Sequence, residues 1–266
     1  MSVLQQICAR RRAVVAEQRT RVPVSRFRES ALYAAPTRSL AAALRLPGVR
    51  VIAEHKRASP SAGAYGVTRS PTQVARAYEA AGAAALSVLT EPEWFGGELD
   101  HLREVRRATG LPLLRKDFIV DPYQLHEAKG AGADAVLLIA AALTVAEAGE
   151  LRTVAHHLGL EVLLELHDAS ELEYLEIAPD VVGVNNRNLA TLAIDLRTSE
   201  RLYGALPADV ARITESGIAT AADARRLLAA GYDGMLVGTQ FMRRPDPGAA
   251  LAGFLREVGA TQAAAS

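Results

Sequence analysis

Lysine is scarce in this chain, and where it persists points to chemistry. Of 30 basic residues only Lys56, Lys116 and Lys129 are lysine. A composition that favours arginine so strongly leaves lysine where arginine cannot replace it. A guanidinium keeps its proton at working pH, whereas burial can lower the pKa of an ammonium into the range of a general acid. Lys56 lies in Glu54-His55-Lys56 and Lys116 in Arg115-Lys116-Asp117. Side chains alternate along an extended segment, so Glu54 and Lys56 share one face and His55 takes the other. Glu165, Asn185-Asn186-Arg187 and Glu215 are further polar groups at the ends of apolar runs. Carboxylates and amines brought to one rim shift each other's pKa values, as proton transfer requires. Ser216-Gly217 and Gly238-Thr239 add two glycine loops, each able to present backbone N–H groups to an anion. They point to a small phosphorylated substrate.

Other polar residues carry less. Asn185-Asn186 also suits a turn, and Gly217 and Gly238 also suit loop geometry alone. Trp94-Phe95, ahead of Gly96-Gly97, either packs a loop or walls an aromatic substrate. Asp117 is expected to pair locally, and His167 to be a solvent-exposed loop histidine. His156 and His157, adjacent on a helix, face different directions and make no metal pair.

Alternating elements must position these groups. Helical patterns over 3–18, between Pro23 and Pro36, and over 39–46 come first. Strands are then expected at 49–53, 84–89, 112–115, 134–139, 161–165, 181–185, 210–214 and 234–237. Between and after them come helices at 71–81, 99–109, 121–131, 144–158, 168–178, 220–230 and 247–257. A poorly patterned segment before residue 210 has Asp195 and Ser199 as possible helix caps. Runs such as Val136-Leu137-Leu138-Ile139 are apolar at every position, as in a parallel sheet buried on both faces. Eight strand–helix units in one chain indicate an α/β fold, a (β/α)8 TIM barrel with an N-terminal helical extension. Residues 1–266 form one domain, with 1–48 as the extension. A doubly wound sheet would need a glycine-rich loop after the first strand, where Lys56-Arg57-Ala58-Ser59-Pro60-Ser61 stands instead. In a barrel, Glu54, Lys56, Lys116, Glu165, Asn185 and Glu215 all fall where strands end and βα loops begin, the place of active sites in this architecture.

Composition bounds the partners. The 266 residues are 50% apolar and 23% charged, with a formal net charge of +0. No bulk field recruits nucleic acid or an anionic membrane. The longest apolar run, residues 135–143, is too short to span a bilayer. The N-terminal arginines precede no apolar core of a secretory signal, and the single Cys8 favours a reducing compartment. A cytoplasmic protein is expected, as a monomer rather than a dimer.

Five blocks carry a family resemblance: Glu54-His55-Lys56-Arg57-Ala58-Ser59-Pro60-Ser61, Ser87-Val88-Leu89-Thr90-Glu91, Leu114-Arg115-Lys116-Asp117-Phe118-Ile119-Val120, Gly183-Val184-Asn185-Asn186-Arg187-Asn188-Leu189 and Glu215-Ser216-Gly217-Ile218. In this order, after a helical extension, they resemble the indole-3-glycerol-phosphate synthases. The resemblance implies a carboxy-lyase of tryptophan biosynthesis that needs no metal or organic cofactor. Its substrate would be 1-(2-carboxyphenylamino)-1-deoxyribulose 5-phosphate, converted to indole-3-glycerol phosphate by ring closure, decarboxylation and dehydration. By the same resemblance Lys116 is the general acid and Glu165 the base. Lys56 meets the substrate carboxylate and serves as acid in dehydration, and Glu54 holds Lys56 or Lys116. Asn185, Arg187 and Glu215 orient substrate hydroxyls and the acid–base pair. Ser59, Ser216, Gly217, Gly238 and Thr239 hold phosphate, while Phe95, Phe118 and Leu189 line the anthranilate pocket. Three features depart from the pattern, one being that Ala64 to Ser70 lacks the acidic residues usual before Pro71. His55 replaces an aliphatic residue or Cys, and must be hydrogen-bonded or locally destabilising where it meets the helix layer. Ser61-Ala62-Gly63 lacks the basic residue usual in that loop. The rival readings are a phosphoribosyl isomerase type of barrel enzyme, which wants a Cys or Asp acid–base pair at strand ends, and a catalytically idle paralogue.

Overall fold

In the computed structural model of the chain, which describes residues 3–60, 63–66, 68–189 and 191–260, eight parallel strands close into a barrel. They are β1 (Val51–His55), β2 (Ala85–Leu89), β3 (Leu113–Lys116), β4 (Ala135–Ile139), β5 (Glu161–Leu166), β6 (Val181–Asn185), β7 (Ala211–Glu215) and β8 (Gly234–Val237). β1 closes the ring by pairing with both β2 and β8, Ile52 opposite Ala85 and Val51 opposite Met235. Strand residues are buried at almost every position because both faces are covered. Ile52, Leu114, Leu137, Leu163, Ile213 and Leu236 fill the interior, while Val51, Val136, Val162, Val182 and Met235 pack under the helices.

The extension folds as α1 (Val3–Arg21), α2 (Val24–Arg28), α3 (Ala31–Ala34) and α4 (Leu40–Leu44). Leu40 and Leu44 of α4 join the interior cluster. Ala41 donates its N–H to Glu161 at the start of β5, and Arg38 donates its N–H to Asp134 just before β4. α4 therefore plugs the end of the barrel opposite the strand C-termini. Ser70, Thr144 and Thr220 begin three of the outer helices with capping boxes, which satisfy the first free N–H groups.

Two local expectations need correction. The segment expected as a helix over 168–178 is a 3-10 helix, Ala169–Ile177. Ser199 does not cap: its hydroxyl donates to the Asn186 side chain at 2.8 Å, well inside helix Arg197–Tyr203. Asp195 does accept from the N–H of Arg197, at 3.0 Å, next to that helix start. Short elements with no periodicity to betray them went unread, namely the single-turn helices Pro92–Phe95 and Thr239–Met242 and the hairpin of Ala58–Ser59 with Gly63–Ala64.

His55 points outward, as its parity requires, and packs edge-on against His101 with ring centroids 5.8 Å apart. Among the described residues neither of its ring nitrogens has a hydrogen-bond partner. Of the two fates expected for this residue, the destabilising one holds. Burial, then the neighbouring His101 and Arg57, push its pKa from 6.5 down to about 3. The unfolded chain therefore binds a proton that the folded chain refuses, and stability falls as pH drops below 6.5. At pH 4.5 the loss is about 2–3 kcal/mol for this group. His55→Leu is expected to abolish that share of acid sensitivity. Urea midpoints at pH 7 and pH 4.5 that fall equally for variant and wild type would contradict this account.

Candidate active site

The inward positions at the strand C-termini converge on Lys116. Lys116 ends β3, and its Nζ lies 2.8 Å from Glu165 Oε2 of β5 and 2.6 Å from Glu215 Oε2 of β7. Asn185, at the end of β6 between those strands, donates Nδ2–H to Glu165 Oε1 at 3.1 Å. Gly183 lies two residues earlier on the same face, where a Cβ would stand 2.5 Å from Glu215 Oε1. The missing side chain makes room for the carboxylate.

Electrostatics overturn one expectation about the lysine. Burial alone would depress its pKa, as the sequence reading requires of a general acid. Glu165, Glu215 and Glu54 outweigh burial and raise it above the ordinary lysine range. Lys116 is thus held firmly as an ammonium when its carboxylates have no other partner. The two carboxylates divide. Burial opposes the charge on Glu165, but Lys116 and His167 hold its pKa below the usual range. Burial raises that of Glu215, and Glu165 adds to the rise against the pull of Lys116.

His167 is a second correction. It is not a solvent-exposed loop residue: its side chain is 8% exposed, with Nε2 3.1 Å from Glu165 Oε1 and Nδ1 3.3 Å from Glu171 Oε2. Burial disfavours the charged ring, yet the two carboxylates push its pKa up to about 10. The alternation that pairs Glu54 with Lys56 also pairs Glu165 with His167, and is the signal that could have found it.

At β1, Lys56 donates to Glu54, the first of the two partners offered for that carboxylate. Gly238 after β8 makes this possible, since a Cβ there would overlap Glu54. Lys56 also lies 5.9 Å from the ring centroid of Tyr65. The Tyr65 hydroxyl bridges Ser59, at 3.0 Å, and Thr239, at 3.2 Å, tying the first βα loop to the last. Nothing in the sequence singled out Tyr65. Ser61 and Ala62 of the altered loop lie outside the described residues. The turn after β7 runs through two consecutive left-handed residues, Ser216 at φ 62° and Gly217 at φ 80°. Asn186 braces it, its Nδ2 donating to the carbonyls of Glu215 and Ser216 and to the Thr214 hydroxyl.

Lys116, Glu165, Glu215, Glu54 and Lys56 line one cavity of about 440 Å³. Every residue singled out for catalysis, substrate or phosphate borders it: Glu54, Lys56, Ser59, Phe95, Lys116, Phe118, Glu165, Asn185, Arg187, Leu189, Glu215, Ser216, Gly217, Gly238 and Thr239. Phe95 and Phe118 both border the cavity, with ring centroids 6.1 Å apart. Leu189 stands on the same cavity, and Arg187 donates to the Leu192 carbonyl at 3.1 Å. The extension contributes as well, through Val3, Leu4 and Ile7 of α1.

Behind Lys116 lies a charge cluster that the sequence disclosed only in part. Asp117 does pair locally, with Arg115 at 2.9 Å, but it also takes two hydrogen bonds from Arg11 of α1, at 3.0 and 2.6 Å. Thr90 donates to the same carboxylate at 2.6 Å, and Arg115 reaches Glu127 at 3.2 Å. The arginines to either side of the chain hold Asp117 below the usual carboxylate range despite complete burial.

Solved structures of similar shape establish the architecture. A mutant tryptophan synthase alpha-subunit from Pyrococcus furiosus superposes with a TM-score of 0.61 over 80% of this chain and 98% of its own, at 15% identity. Thiamine phosphate pyrophosphorylase from the same organism gives 0.60 over 84% and 98%, at 16% identity. Sequence relatives are far nearer. An indole-3-glycerol phosphate synthase of Bacteroides thetaiotaomicron is 44% identical over 96% of this chain and 98% of its own length. One from Azoarcus sp. is 45% identical over 94% and 97%. Indole-3-glycerol phosphate synthase 2 of Streptomyces coelicolor is 47% identical over 87% and 90%. The family pattern itself matches residues 4–254, from the wall helix α1 to the last helix of the barrel. With its lysine and carboxylates gathered at the barrel mouth, the chain belongs to the indole-3-glycerol phosphate synthase family.

Proposed function

We propose that the chain closes the indole ring of indole-3-glycerol phosphate from the anilino-deoxyribulose phosphate, with Lys116 as the acid that starts the reaction. The observation that carries this reading is the ammonium of Lys116 held between Glu165 and Glu215 at the mouth of an aromatic-walled cavity. As the substrate ketone approaches, Lys116 gives its proton to the carbonyl oxygen. The ring carbon bearing the carboxylate attacks the carbonyl carbon, and a carbon–carbon bond forms. The bond to the carboxylate then breaks, CO2 leaves, and its electron pair restores the aromatic ring. Loss of water completes the indole: an acid protonates the departing hydroxyl, while Glu165 removes a ring proton. Lys56 meets the substrate carboxylate at the first stage and serves as that acid at the last, with Glu54 orienting it. Asn185 orients Glu165, and Arg187 and Glu215 orient substrate hydroxyls. Phe95, Phe118 and Leu189 hold the anthranilate ring. Ser59, Ser216, Gly217, Gly238 and Thr239 hold the phosphate. Every step moves protons and electron pairs within substrate and side chains, so the atoms balance without an electron acceptor.

Among the described residues the large apolar side chains most exposed are Val3, Leu46 and Ile194, and Val3 and Ile194 border the cavity. That leaves little apolar surface for a partner and supports action as a monomer. No helix among the described residues is long and apolar enough to cross a membrane.

Mixing the protein with the anilino-deoxyribulose phosphate is expected to produce indole fluorescence and CO2 in equal amounts. Glu165→Gln is expected to lower kcat by about 10²–10⁴, the range of one positioned proton-transfer group. Absence of indole emission from the wild type would overturn the assignment, and a fast Glu165→Gln variant would remove Glu165 from the base role.

A further inference from the structure

Four cations border the cavity: Lys56, Lys116, Arg187 and Arg243. The first three are engaged from within the protein, by Glu54, by Glu165 and Glu215, and by the Leu192 carbonyl. Arg243 is exposed, and its side chain has no hydrogen-bond or ion-pair partner among the described residues. The nearest carboxylate in the chain, Asp246, is already held by Arg69 at 2.9 Å and accepts the N–H of Ala249. Arg243 directly follows the single-turn helix Thr239–Met242, and its N–H bonds the Thr239 carbonyl at 3.3 Å. Residues four apart on a helical turn share a face, which directs Arg243 to the side of the cavity that Thr239 borders.

The geometry points to Arg243 as the residue that supplies a full positive charge to the substrate phosphate, and so selects phosphorylated over unphosphorylated sugars. This rests on the placement of phosphate at the loops after β7 and β8. Backbone N–H groups and the hydroxyls of Ser59, Thr239 and Tyr65 offer a phosphate dianion only partial charges. The first βα loop offers none better: Lys56 is held by Glu54, Arg69 by Asp246, and Arg57 does not border the cavity. A guanidinium carries the missing charge and matches two phosphate oxygens with parallel N–H groups.

Arg243→Gln and Arg243→Lys in the full chain test this, read by KM, kcat and competitive inhibition by inorganic phosphate. In Arg243→Gln, KM for the anilino-deoxyribulose phosphate and Ki for phosphate should both rise about 10- to 100-fold, the worth of one charge-assisted contact. The loss falls on KM far more than on kcat, because the phosphate is remote from the reacting carbons. Arg243→Lys, which keeps the charge without the fork, should recover part of it. Should phosphate compete in the wild type while Arg243→Gln stays within twofold on both constants, the role of Arg243 falls and the phosphate site stands. Should phosphate fail to compete even in the wild type, both fall together.

Discussion

Lys116→Met is expected to lower kcat by at least about 10³ while the variant still binds indole-3-glycerol phosphate. The methionine keeps the length of the side chain and removes only its proton and charge. Arginine should not rescue, since its guanidinium keeps charge but does not surrender a proton. A second signature accompanies the lost rate. Glu165 and Glu215 approach the same nitrogen at 2.8 and 2.6 Å, and without it two buried carboxylates face each other. One of them must take up a proton, so its folded pKa rises above the ordinary 4.5. A carboxyl whose folded pKa is raised costs nothing below its unfolded pKa and loses stability as pH rises above it. Relative to wild type, Lys116→Met should therefore weaken steadily as pH climbs from about 4.5 toward neutrality. Stopped-flow indole emission gives kcat, calorimetric titration with product gives binding, and urea midpoints across pH give the stability. A methionine or arginine variant within tenfold of wild-type kcat would show that the ring-closing proton comes from elsewhere.

The barrel and the position of its mouth were legible because the signals are local. Strand-like runs recur eight times, with glycine after several helices and proline at the start of a few, and a strand end can be read to within about two residues. Alternation then put Glu54 and Lys56 on one face and His55 on the other, and Glu54 and Lys56 border the cavity. What stayed hidden depends on distance along the chain. Arg11 meets Asp117 across 106 positions, and nothing in α1 marks one arginine among its neighbours as the buried one. The helical pattern over 3–18 was legible, but not that Leu4 and Ile7 within it border the cavity. The direction of the Lys116 pKa was missed for a related reason. Burial can be read from an apolar run, whereas the sum of three carboxylate charges needs their positions. His167 is a different case, for its parity with Glu165 was available and was outweighed by its place beyond the strand end.

The second large effect concerns that hidden pairing. Arg11, Arg115, Asp117 and Glu127 form a buried cluster with two charges of each sign. Arg11→Met leaves it one negative charge in excess, and removing one partner from a buried pair costs about 3–5 kcal/mol. Asp117→Asn leaves one positive charge in excess and should cost a similar amount. The double variant returns the cluster to Arg115 with Glu127, so its loss should fall short of the sum of the single losses by more than about 1 kcal/mol. A merely additive result in urea would mean that Arg11 and Asp117 do not stabilise one another. The activity of Arg11→Met separates support from chemistry. Asp117 accepts the N–H of Phe118 at 2.9 Å, so it fixes the backbone that carries both the acid and one aromatic wall. Loosening it should raise KM and lower kcat together at temperatures where the variant is fully folded, because α1, β3 and the ring-binding wall share this one anchor. The folded pKa of Asp117 is depressed, so its contribution is present above about 3.8 and disappears as pH falls through the lower folded value. Acid thus weakens the same protein at two buried sites by the same linkage, since the unfolded chain binds a proton at Asp117 and at His55 that the folded chain holds less well.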